Sequence, residues 1–198
     1  MTRTSMYKSA YFGMLVLGVA LSLWIVFYFQ MTVVGVLILA VILLFPGRVL
    51  GFFWRDLLRG LRLLHEKRYA ESKRHSELFL TKVKDQPWLK KLIWLGSGAY
   101  SRDPEAMALN NLGAAELKLG ELDDAKAHLA ASIAVDELNP LPYFNMGLLY
   151  SALGDRDAAT GCFDKAVSLG YSRSAVDRFF QNSQKHFAES DGQGTSLG

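Results

Sequence analysis

The side chains of this 198-residue chain that could do chemistry are few and scattered. His65, His75, His128 and His186 are types that bind metals or move protons, but no two stand at the i, i+4 spacing of a helical metal site. The lone Cys162 can build neither a thiolate cluster nor an internal disulfide, so the chain needs no oxidising compartment. Gly96-Ser97-Gly98 falls short of a nucleophile elbow and has no strand before it, which leaves it as a helix end. No glycine-rich run finishes in the Lys-Ser or Lys-Thr of a phosphate loop. Asp123-Asp124 and the pair Asp155, Asp157 look like coupled carboxylates. They recur at matching places in two copies of one pattern, which assigns them to helix starts, where a carboxylate offsets the positive end of the dipole. The expectation is a chain with no catalytic residues, no metal and no cofactor.

The pattern that carries those carboxylates is a repeat. Moving Ala106–Asn139 along by 34 residues lands it on Pro140–Arg173, with Asn111, Gly113, Leu119, Gly120, Asp123 and Ala125 falling on identical residues. Leu112 and Met146, Leu129 and Phe163, and Ile133 and Val167 keep their character. A fixed period of this length marks stacked helical units that cannot bury their apolar faces alone. Tyr143, Met146, Leu149, Tyr150 and Leu153 follow the spacing of one helix face, and Gly154 then ends it. Gly120 and Gly154 supply the small residue, at positive φ, that a chain leaving a helix uses. Gly113 with Ala125, and Gly147 with Ala159, let paired helices approach closely.

These residues resemble the tetratricopeptide repeat (TPR). The first unit departs from the pattern at Leu109, where Tyr143 supplies a ring, at Glu116, opposite Tyr150, and at Ser132, in place of alanine. The resemblance implies an antiparallel helix-turn-helix solenoid whose concave groove binds protein. Carried over position by position, the groove would be lined by Met107, Asn110, Ala114, Leu117 and Lys118, then Leu141, Phe144, Leu148 and Ser151. Lys118 is its one cation, which suits an amphipathic helix better than a peptide carboxylate. The alternative occupant is the chain's own helix near Trp88–Leu95, or its C-terminal cap.

The chain opens very differently. From Ser9 to Gly47 it holds no Asp, Glu, Lys or Arg. One helix over the apolar part, Ala10 to Phe45, would be about 54 Å long against a hydrocarbon core of about 30 Å, so the segment must turn back. We place a transmembrane hairpin at 10–45, with spans read at Tyr7 to Tyr28 and Met31 to Val49 around the polar break at Gln30 and Thr32. Length and the second apolar run argue against a cleaved signal peptide. Arg3 and Lys8 before the hairpin and many basic residues after it put both termini on the cytoplasmic side of an inner membrane.

Charge divides the remainder. Residues 46–91 carry 12 basic and 5 acidic side chains, net +7, whereas 92–198 carry 8 basic and 14 acidic, net −6. Segment 46–67 reads as a basic amphipathic juxtamembrane helix, with Phe53, Trp54 and leucines on one face and Arg55, Arg59 and Arg62 away from it. It could lie among anionic headgroups, making Phe53, Trp54, Arg55, Arg59 and Arg62 membrane-interface contacts, form the first element of the helical stack, or do both at different ends. Basic and aromatic residues are segregated instead of interleaved, so nucleic acid is not an expected partner.

The expected organisation is thus all-α: a tail at 1–9, the hairpin, the basic helix, degenerate TPR-like helices at 68–104, two TPR units at 105–173, a capping helix at 174–188 and a disordered tail at 189–198. Pro87 is expected to open a helix capped by Asp85. The expected role is a non-enzymatic, membrane-anchored scaffold or adaptor that recruits or assembles protein partners. Two other roles stay open: a subunit held in a larger complex through the hairpin's small residues, and a membrane enzyme or transporter, against which the lack of charged residues in the spans argues; a homo-oligomer is compatible with each.

Overall fold

A computed structural model describes residues 3–28, 32–95, 101 and 103–180. Among them the chain is entirely helical: α1 (Arg3–Tyr28), α2 (Val33–Phe53), α3 (Arg55–His65), α4 (Tyr69–Asp85), a 3-10 segment (Pro87–Leu95), α5 (Pro104–Leu119), α6 (Leu122–Val135), α7 (Pro140–Ala152) and α8 (Arg156–Ser168). Residues 173–180 form a further helical stretch. The tail beyond residue 180, including Phe187 and the 189–198 segment, lies outside the described residues.

Local sequence sets the helix ends. Asp103 accepts a hydrogen bond from the Glu105 backbone N–H and is followed by Pro104, while Asn139 does the same for Leu141 and is followed by Pro140. Proline at the first helical position costs nothing there, because that N–H has no helical partner. Asp155 caps α8 through the N–H of Ala158. Asp123 and Asp157 fall in first turns, as the repeat pattern requires. Asp85 differs from expectation: it is the last residue of α4, and Pro87 opens the 3-10 segment without it.

From α3 onward each helix packs on its successor, apart from the interposed 3-10 segment, and α3 also meets α5 as α5 meets α7. The stack therefore contains three antiparallel hairpins, α3/α4, α5/α6 and α7/α8. Close approach is set by glycine in each. A Cβ on Gly113 would sit 2.7 Å from Leu129 Cγ, one on Gly147 2.7 Å from Phe163 Cε1, and one on Gly60 3.1 Å from Ser76 Oγ. In α3/α4 the Ser72 hydroxyl also donates to the Gly60 carbonyl at 2.8 Å.

The core is layered along the stack. Trp54, Leu57, Phe79, Val83 and Ala108 form one cluster, Ala125, Leu129, Met146 and Leu149 a second, and Ala159, Phe163 and Val176 a third. Each fully buried Leu or Phe stabilises the stack by about 1.5–3 kcal/mol. Val176 and Phe179 close the last cluster, as a polar-faced terminal cap should.

Among the described residues no helix is long and apolar enough to cross a membrane. The expected hairpin is therefore not established by the structure. Many side chains of the expected spans, including 7–12 and 42–47, lie outside those described. The described ones on α1 and α2 include exposed large apolar groups, among them Leu17, Leu21, Val33, Leu37 and Val41.

Candidate functional site

The residues proposed to line a groove do not share one environment. Asn110 and Ala114 are buried, and Met107 packs against the Trp54–Phe79 cluster. Asn110 Oδ1 accepts a 2.9 Å hydrogen bond from the Asn145 amide, tying the first helices of successive hairpins together. Phe144 is half-buried, stacked on Tyr171 at 4.4 Å and tilted on Phe163 at 5.6 Å. Leu148 packs on the same third cluster, and Leu117 on the second. Leu141 is half-buried, as is Ser151, whose hydroxyl donates to the Gly147 carbonyl. Lys118 alone in the set is exposed.

The chain's own 3-10 segment, one expected occupant of the groove, lies at the start of α5. The 3-10 segment packs against α2, α4 and α5. Leu89 is buried, its carbonyl accepts from Trp54 Nε1 at 3.4 Å, and Trp88 meets Phe53 edge-on at 5.0 Å. Lys90 ties the segment to Glu105 and Asp103.

The same contacts redefine the basic helix. Trp54 is only 3% exposed and lies in the protein core, so its ring is not available to a bilayer surface. Phe53 is half-buried beside it, whereas Arg55, Arg59 and Arg62 are exposed. The apolar side of this helix forms the first element of the stack, covered by α4 and α5, and its arginine face is left exposed.

Two polar clusters were missed by reading the sequence. Glu116, 1% exposed, fills the slot held by Tyr150 in the next unit and is bonded by His128 at 2.7 Å and approached by Lys73 of α4 at 3.4 Å. Lys73 also pairs with Glu121, and that bond raises its pKa against the opposing effect of burial. The signal was present, since a carboxylate replacing a ring at a packed repeat position calls for a cationic partner. Asp56, buried at the start of α3, meets Lys82 and His75. Burial would raise its pKa, but the bonds from Lys82 and His75 outweigh this and hold it below the ordinary value.

Among the described residues these polar clusters are ion pairs that join neighbouring helices. Glu116, Glu121 and Asp124 are close enough to share a cation, yet Lys73 and His128 already serve the first two. Burial pushes the Cys162 thiol up, away from the reactive thiolate.

Stacked antiparallel helix hairpins with glycine at their close approaches define a helical-repeat protein. The family model for the tetratricopeptide repeat matches residues 142–169, across α7 and α8. No curated protein and no solved structure matches the chain. Repeats of this family build scaffolds for protein–protein interaction.

Proposed function

We propose that this chain is a membrane-anchored TPR scaffold that recruits or assembles protein partners at the cytoplasmic face of an inner membrane. The observation that carries the reading is the direct joining of two unlike parts. A repeat stack with its own layered core follows, through the single residue Trp54, a helix whose aliphatic side chains are exposed. Val33, Val34, Leu37, Ile38 and Val41 are all more than half exposed on α2. Apolar surface of that extent calls for a covering partner, and the uncharged run from Ser9 to Gly47 fits a bilayer. Confinement to one surface raises the effective concentration of bound partners without any new contact.

Partner binding is assigned to the expected groove of α5 and α7 at its exposed Lys118 and half-buried Leu141, since Phe144 and Leu148 are partly buried against the third cluster. Crosslinking in intact membranes, followed by identification of attached proteins, tests both parts. The wild type should yield a defined partner set that Lys118→Glu with Leu141→Asp depletes. An identical set from that variant would remove the assigned face. Recovery of the chain in the supernatant after alkaline extraction of membranes would remove the anchor.

A further inference from the structure

We propose that a cleft at the junction of α2 and α3 binds the phosphate headgroup of an anionic phospholipid. The inference rests on the reading that α1 and α2 lie in a bilayer, and it adds a defined lipid-contact site to that reading. The cleft has a volume of about 430 Å³ and is lined chiefly by Gly51, Arg55, Leu58, Arg59, Arg62 and Arg68. That volume lies within the range of small-ligand sites.

Arg55, Arg59 and Arg62 recur at steps of four and three along α3, which brings them to one helix face. Among the described residues no carboxylate lies within ion-pair distance of any of the three. Arg68 is different: it is held by two bonds to Glu71, at 2.7 and 2.6 Å, and sits 3.6 Å from Glu66. Glu66, the carboxylate on the cleft wall, is therefore already answered by Arg68. Three guanidinium groups remain, and their planar forks match phosphate oxygens better than a point charge does.

The cleft is not purely cationic. Leu58 is 45% exposed on its wall, and Phe52, next to Gly51 in the chain, is 72% exposed. Gly51 belongs to α2, the helix with the aliphatic surface. A small soluble anion would satisfy the arginines but leave this apolar flank bare. A glycerophospholipid satisfies both.

The test uses the full-length chain in nanodiscs of phosphatidylcholine alone, or of phosphatidylcholine mixed with phosphatidylglycerol. Lipids retained on release are counted by native mass spectrometry. The wild type should retain phosphatidylglycerol in preference, and Arg59→Gln with Arg62→Gln should lower that preference about 25-fold, or fivefold per arginine. Arg156→Gln, an exposed arginine on α8, should leave it unchanged. Arg59→Lys with Arg62→Lys keeps the charge but loses the fork, and should lower the preference by a smaller factor. Full preference in the lysine variant would mean diffuse attraction and overturn the site. Displacement of the lipid by inorganic phosphate at matched concentration would assign the cleft to a soluble anion and overturn the lipid. Entry into pure phosphatidylcholine nanodiscs with no preference in mixed ones would overturn the cleft alone. Failure to enter either would overturn the bilayer reading and the cleft with it.

Discussion

Lys67 occupies in the α3/α4 hairpin the backbone position that Gly120 occupies in α5/α6. Its φ is 62° against 82° for Gly120 and 80° for Gly154. The hydrogen bonds agree: Arg68 N–H donates to the Leu63 carbonyl, Glu121 N–H to Glu116 and Asp155 N–H to Tyr150. Counting back seven residues from each turn reaches Gly60, Gly113 and Gly147, the three close approaches.

Lys67→Gly should therefore stabilise the stack. A residue with a Cβ in the left-handed region costs about 1–2 kcal/mol, partly offset by the greater chain entropy that glycine loses on folding. The expected gain is about 0.5–1 kcal/mol in chemical denaturation. A loss of stability would mean that the Lys67 side chain makes a contribution larger than the strain.

Gly147→Ala should destabilise by about 1–3 kcal/mol, because the new methyl overlaps the Phe163 ring and forces the hairpin apart. Combining it with Phe163→Leu should cost less than the sum of the two single changes. Additive losses in the double-mutant cycle would show that the ring and the glycine do not meet.

Acid should weaken the α3/α4 hairpin through Asp56. Its pKa is depressed in the folded state, so its contribution is fully present above the unfolded value of about 3.9 and is lost as pH falls through the folded value. Asp56→Asn should cost about 1.5 kcal/mol at neutral pH and flatten the decline of stability below about pH 4. Parallel stability curves for the two proteins across that window would contradict the assignment.

Lys73 and Glu116 should be energetically coupled across the α4–α5 boundary. Lys73→Met leaves the buried Glu116 carboxylate with only His128, a loss of about 1–3 kcal/mol. Adding Glu116→Gln should recover part of it, with a coupling of about 1 kcal/mol measured by urea unfolding. Zero coupling would assign Lys73 to Glu121 alone.

What the sequence disclosed follows from which residues the fold leaves no choice about. At Gly113, Gly120, Gly147 and Gly154 sterics demand glycine, so those positions repeated and two hairpins were legible. The α3/α4 hairpin solves the same problems with other residues: Lys67 bears the strain of the turn, Ser72 takes the small position of Ala125 and Ala159, and Ser76 stands where Leu129 and Phe163 face the glycine. Its geometry repeats while its letters do not. The site was less readable because helix periodicity tells which residues share a face but not what covers it. Trp54 read as an interfacial ring, whereas the 3-10 segment lies against it, and nothing in the periodicity of α7 shows the Tyr171 ring that stacks on Phe144. The arginines of α3 were legible as a charged face. The cleft they line was not, since Arg68 and Gly51 reach it from neighbouring elements.

One residue separates α2 from α3, and it is buried. A loop at that point would let the repeats swivel about their stem, but Trp54 is anchored by its indole N–H to Leu89 and packed against Phe79. Any tilt imposed on α2 is passed directly into the first hairpin. The junction thus acts as a bracket and not as a leash, so that the direction in which α2 leaves the repeats is set by the core of the first hairpin.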